Sequence, residues 1–95
     1  MFKVVYHRLV VQDDIPKLSS EWKKKVRRAI EKRLTTHPDL YGKPLRRSLK
    51  GYRKLRVGDW RVIFKIEKDT VIILVIQHRS MVYERIEKRK FSPDF

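Results

Sequence analysis

The stretch KLRVGDWRVIFK, residues 54 to 65, carries four cations, Lys54, Arg56, Arg61 and Lys65, against one carboxylate, Asp59. With Gly58-Asp59 as a two-residue loop of type II′, it reads as a hairpin in which Val57 faces Trp60, Arg56 faces Arg61, Leu55 faces Val62 and Lys54 faces Ile63. One face then holds Leu55, Val57, Trp60, Val62 and Phe64, and the other holds the cations. A one-residue slip would turn the apolar set outward, so burial fixes this register. Like charges facing across strands repel. Either the long side chains splay into water, or the face is built for an anion. The segment QHRSMVY adds His78, Arg79 and Tyr83 after the next strand, and Lys50 and Arg53 extend the basic surface before the hairpin. Arginine presents a planar fork to phosphate, lysine a point charge, and tyrosine a ring on which an unpaired base can stack.

Other chemistries find little support. There is no cysteine, and His7, His37 and His78 are scattered with no carboxylate cluster at ligand spacing, so neither a metal nor another cofactor is expected. Nucleophilic triads, phosphate-binding glycine loops and dinucleotide fingerprints are missing. One reaction suits a basic set: RNA cleavage in which the ribose 2′-hydroxyl attacks the adjacent phosphate, the protein supplying a base, an acid and positive charge. The bland alternatives are a solvated strand face at Arg56, a Tyr83 packed under the last helix and a His78 that caps a strand end.

The whole chain agrees with a polyanion partner. Its 95 residues contain 25 Lys and Arg against 11 Asp and Glu, for a formal charge of +14. Yet 41% of residues are apolar and fall in patterned segments, which predicts a folded domain over residues 1–91 with a frayed tail at 92–95. The lack of cysteine suits the cytoplasm. The run VIILVI at 71 to 76 is too short to cross a bilayer and the amino terminus lacks a signal-peptide pattern, so no membrane partner is expected.

The elements that must position these side chains follow from periodicity. Residues 2 to 6 alternate as a strand. Asp13 or Asp14 before Ile15-Pro16 predicts a cap on a short helix ending near Ser19-Ser20. From Glu21 to Leu34, Trp22, Val26, Ala29, Ile30 and Leu34 recur at helical spacing, while Lys23, Lys24, Lys25, Arg27, Arg28 and Lys32 form a basic outer face. Residues 37 to 51 read as a connection with a turn of helix near Leu45 to Leu49. Strands over 52–57, 60–67 and 70–77 follow, the last apolar on both faces and therefore central. Ser80 is expected to cap a final helix bearing Val82 and Ile86, with Lys88, Arg89 and Lys90 near its end.

On this order of elements, LKGYRKLRVGDWRVIFKI, VIILVIQHR and MVY resemble the RelE/ParE superfamily of bacterial and archaeal toxins. The resemblance covers essentially the whole domain. It implies an α+β fold, β-α-α-β-β-β with a further α, in which a mainly antiparallel four-stranded twisted sheet packs on two N-terminal helices and a short C-terminal one. RelE-type members are ribosome-dependent mRNA endonucleases that cut in the ribosomal A site, whereas ParE-type members poison DNA gyrase. Both are neutralised by a cognate antitoxin, here expected to be acidic and RelB-like. By resemblance to the RelE pattern, Arg61 would stabilise the phosphorane, Lys54 would act as base or charge stabiliser, and Arg56 would hold phosphate, with Lys65, Arg53 and Lys50 as further RNA contacts. Arg79 or His78 would protonate the 5′-oxygen, and Tyr83 would stack on or orient an mRNA base. Tyr52 stands where such sequences have another strand lysine. The ribosome and mRNA are then the partners. A gyrase inhibitor and a non-catalytic nucleic-acid or ribosome-binding module are the alternatives.

Overall fold

A computed structural model describes residues 1–89 of the chain; Lys90 and the tail expected at 92–95 lie outside the described residues. Strand β5 (Thr70–His78) is the axis of the molecule. It pairs antiparallel with β4 (Trp60–Glu67) on one side and parallel with β1 (Lys3–Tyr6) on the other, and β3 (Arg53–Val57) and a two-residue β2 (Lys43–Pro44) complete the order β1-β5-β4-β3-β2. The fold is therefore α+β with a mixed five-stranded sheet, one strand more than expected. The extra strand pairs Lys43 with Lys54 and Pro44 with Arg53. Its length and its proline suit an edge, where a missing backbone donor costs no ladder bond.

Both faces of β5 are covered, as its unbroken apolarity predicts. On one side lies α1 (Ser20–Ala29), continued by a π-helical turn at Ile30–Leu34. Val26, Ile30 and Leu34 pack there against Leu55, Val62, Phe64, Ile73 and Ile76. Ser19 caps this helix, its hydroxyl accepting from the Trp22 amide at 3.3 Å. On the other side α3 (Val82–Arg89) lays Val82 and Ile86 on Ile63, Leu74 and Val75. A bulge helps: Ile63 pairs with Val75 and Phe64 with Ile73, which leaves Leu74 as an extra residue of β5. Two consecutive side chains, Leu74 and Val75, thereby face α3. Among the described residues, no helix is long and apolar enough to cross a membrane.

The hairpin has the predicted register, Val57 to Trp60, Arg56 to Arg61, Leu55 to Val62 and Lys54 to Ile63. Gly58 takes φ +61° and Asp59 has no positive φ, the pattern of a type II′ turn. Trp22 of α1 rests on this turn; a Cβ on Gly58 would lie 2.4 Å from its ring.

Four local expectations are corrected. The chain is already helical before Asp14, in a π-helical turn at Val10–Asp14 followed by a 3₁₀ turn at Ile15–Lys17, and Asp14 caps nothing. It is buried, and its carboxylate accepts from the Ile76 amide (2.8 Å), from Gln77 Nε2 (2.6 Å) and, through both oxygens, from Arg89 (2.6 and 2.8 Å). Arg89 is thus an internal partner of Asp14, where a cation at the helix end was expected. The connection after His37 contains an unforeseen helix, α2 (Pro38–Tyr41), as well as the expected turn, at Arg47–Leu49. Ser80 turns back to His78, its Oγ 2.9 Å and its amide 3.3 Å from Nδ1, and this occupies the hydroxyl expected to cap α3.

Candidate nucleic-acid site

The pleat sorts the hairpin cations into rows. Arg56, Arg61 and Gln77 form one row across β3, β4 and β5, and Lys54, Ile63 and Val75 form the next on the same face. Since α3 covers Ile63 and Val75, its first turn stands over Lys54. There Lys54 Nζ donates to the Tyr83 hydroxyl at 3.2 Å and lies 5.7 Å from the ring centroid. Tyr83 is 48% exposed and does not pack beneath its helix. A phenol that accepts from an ammonium still has its own proton to give to a third atom.

Arg56 is exposed, whereas Arg61 is only 8% exposed. The Arg61 Nη1 donates to the carbonyls of Gly58 (2.8 Å) and Trp60 (2.9 Å), so this cation folds back to brace the turn. The repulsion foreseen between facing arginines is relieved in this way. One guanidinium is spent on backbone oxygens and the other leans to solvent.

The remaining expected residues do not gather at one point. Lys65 is four residues beyond Arg61, about 13 Å along the strand, where it pairs with Glu67 at 3.0 Å and covers the Tyr52 ring. Arg53 falls on the α1 face, where it donates to the carbonyls of Gly42 (2.9 Å) and Asp39 (3.3 Å) and holds α2 to the sheet. Lys50 is exposed in the loop before β3. His78 pairs in register with Trp60 and meets its ring edge to face at 5.7 Å, which puts it on the opposite pleat from Lys54 and Tyr83. Arg79 docks at the hairpin tip, its amide donating to the Asp59 carbonyl at 2.8 Å and its Nε 3.8 Å from the Asp59 carboxylate.

Three residues beside Lys54 and Arg56 escaped the sequence pattern. Arg33, Tyr41 and Lys43 line a cavity of about 300 Å³ together with Lys54, Leu55 and Arg56. The Arg33 guanidinium lies 5.7 Å from the Tyr41 ring centroid. The proline of His37-Pro38-Asp39, at the first helical position with an acid behind it, was the local sign of the helix that presents Tyr41.

A sheet of this order, with helices on both faces and a cationic hairpin under the last helix, defines a known class. The chain belongs to the RelE/ParE superfamily of toxins: the family model of the ParE toxin of type II toxin-antitoxin systems, parDE, matches residues 2–83. Its relatives include Toxin RelG of Mycobacterium tuberculosis (strain ATCC 25618 / H37Rv), 41% identical over 54 residues, which are 55% of this chain and 62% of RelG. The match thus spans less than two thirds of that relative. The toxin-antitoxin complex RelBE2 of Mycobacterium tuberculosis contains a chain of the same fold, with TM-score 0.76, 31% identity, and coverage of 82% of this chain and 98% of that one. The RelB-RelE antitoxin-toxin complex of Methanococcus jannaschii matches with TM-score 0.66 at 20% identity, covering 84% and 95%. YafQ of Escherichia coli matches with TM-score 0.58 at 19% identity, covering 87% and 99%. The last two show the fold alone.

Proposed function

We propose that this toxin is a ribosome-dependent, metal-independent mRNA endoribonuclease of the RelE type, acting in the cytoplasm and held inactive by an acidic, RelB-like antitoxin. The observation that carries the activity is the Lys54–Tyr83 contact, an ammonium donating to an exposed phenol beside Arg56 on a strongly basic surface. The 2′-oxygen attacks phosphorus, the bond to the 5′-oxygen breaks, and the products are a 2′,3′-cyclic phosphate and a 5′-hydroxyl. Arg56 binds the phosphate, and Arg61 supplies a fixed positive charge behind it, where partial burial strengthens its field. The leaving 5′-oxygen needs a proton. Arg79 does not give one up, because guanidinium stays protonated in proteins. His78 lies on the other pleat. Tyr83 therefore protonates the leaving group and Lys54 replenishes it, while the 2′-proton passes to water. The ribosome completes the site by holding the mRNA in line.

The antitoxin assignment draws on the complex-forming relative RelBE2 and on the formal charge of +14, which an acidic chain would offset. The experiment is single-turnover cleavage of mRNA on programmed ribosomes. Tyr83→Phe should slow cleavage by about 10²- to 10⁴-fold, the usual worth of a positioned proton donor. Wild-type rates in Tyr83→Phe and Lys54→Met would sink the assignment. The match to the ParE family model favours a second reading, a gyrase poison, which inhibition of supercoiling with ribosome-bound mRNA left intact would select.

A further inference from the structure

Past Lys54 the outer edge of β3 is not covered by β2, whose pairing stops at Arg53 and Lys54. Along that edge, between α1 and the hairpin, runs a cavity of about 420 Å³ lined by Lys25, Arg28, Lys32, Arg33 and Arg56, with Trp22, Ala29, Val57 and Gly58 as its floor. Arg33 and Arg56 also line the 300 Å³ cavity beside Lys54 and Tyr41, so the two cavities adjoin as a groove that reaches from α1 to Lys54. Neither lining includes a carboxylate, although Lys25 is held from outside by Glu21 at 2.9 Å.

A basic edge also deters strand-to-strand pairing. That needs cations on β3 itself and leaves Lys25, Arg28, Lys32 and Arg33 on the facing helix unexplained. An acidic peptide would look for apolar anchor points, and beyond the Trp22 and Tyr41 rings the groove offers Ala29, the half-buried Val57 and the buried Leu55. Each of its rings has a cation over it, Trp22 with Lys25 at 4.7 Å and Tyr41 with Arg33 at 5.7 Å, and Trp22 also rests on the Gly58 turn, so what a base could stack on is confined to Tyr41. What remains is a line of cations suited to phosphates and indifferent to sequence.

We infer that the groove is a track for the sugar-phosphate backbone of an RNA strand that leaves the Lys54–Tyr83 site, crosses the β3 edge at Arg56 and lies along α1. The inference rests on the endoribonuclease reading for its direction, but its test does not require cleavage. Binding of a 2′-O-methyl RNA oligonucleotide, which lacks the attacking hydroxyl, is followed by fluorescence anisotropy from low to high salt. For the triple variant Arg28→Gln/Lys32→Gln/Arg33→Gln, the slope of log K against log salt should fall in magnitude by about 2, since each lost single-strand phosphate contact contributes roughly 0.7. A control of equal charge change, Lys3→Gln/Lys17→Gln/Lys68→Gln, should keep the wild-type slope. Equal slopes for both triples, changed or unchanged, would overturn the track. Selective loss by the groove variant of a poly-glutamate peptide or a DNA duplex, with RNA binding intact, would overturn it in favour of a protein or DNA partner. If the slope falls as stated but programmed ribosomes show no cleavage, the track stands and the endoribonuclease reading fails.

Discussion

Breaking the buried contact between Asp14 and Arg89 should be the most damaging polar change in the molecule. The two side chains are 0% and 2% exposed and are joined through both carboxylate oxygens. They link the N-terminal helical turn to the last residue of α3, and Ile76 and Gln77 of β5 bond to the same carboxylate. Arg89→Met leaves a buried anion with only those two neutral donors, and Asp14→Leu leaves a buried guanidinium with the Leu74 carbonyl at 3.2 Å. Each should cost about 3–5 kcal/mol, the usual penalty for stranding one member of such a pair. With an unfolding entropy of roughly 0.2 kcal/mol/K for a chain this long, Tm should fall by about 15–25 °C. Total stability for a domain of this size is about 5–14 kcal/mol, so either variant sits near the limit of folding. The double variant Asp14→Leu/Arg89→Met removes both charges and should be less damaging than the sum of the singles by at least about 2 kcal/mol. A residual loss of about 1–3 kcal/mol should persist, because the Ile76 amide then lacks its acceptor. Urea and thermal melts followed by circular dichroism measure all four corners of the cycle. Additive singles, or singles costing under about 1 kcal/mol, would refute the reasoning that the pair's energy lies in mutual compensation.

Gly58→Ala should destabilise the protein by more than about 1 kcal/mol, since φ is +61° and the new Cβ would meet the Trp22 ring at 2.4 Å; a Tm equal to wild type would contradict that packing. Lys68 holds φ +56° in the β4–β5 turn, so Lys68→Gly should gain about 0.5–1 kcal/mol in urea melts, the relief of left-handed strain exceeding the added unfolded-state entropy. Burial, with Glu31 nearby, raises the pKa of the Tyr6 phenol, against a smaller opposing effect of Arg27. The unfolded chain therefore releases this proton first, and stability should be lost as pH rises above about 10, not below it. Tyr6→Phe should flatten that part of the stability profile, and difference absorbance at 295 nm should place the missing tyrosinate step above the ordinary phenol range.

The hairpin was legible at the level of single residue pairs. Its apolar alternation, the Gly58-Asp59 loop and the cost of a register slip are all local, and they place Arg56 opposite Arg61 without knowledge of any other element. Helix α1 was legible for the same reason, from the helical spacing of Trp22, Val26, Ala29, Ile30 and Leu34. The segment 37 to 51 was not, because its two prolines and two glycines mask a short helix and a two-residue strand, tied to the sheet where Arg53 reaches across to the carbonyls of Asp39 and Gly42. Asp14 looked like a cap because acids before Ile-Pro usually are. Its true partner is 75 residues away, and no local spacing announces a pair at that distance.

By itself the sequence determined the charge, the central strand, the amphipathic helix and a face on which cations crowd, since each depends on composition or on a period of two or 3.6 residues. Only the tertiary structure decided what those cations do. Docking of α3 over Ile63 and Val75 brings Tyr83 to Lys54. The turn carbonyls draw Arg61 inward, and α1 extends the basic surface past Arg56 into a groove. These outcomes depend on how distant elements pack, because the position of a long, charged side chain is set by the partner it finds and not by its place in the strand.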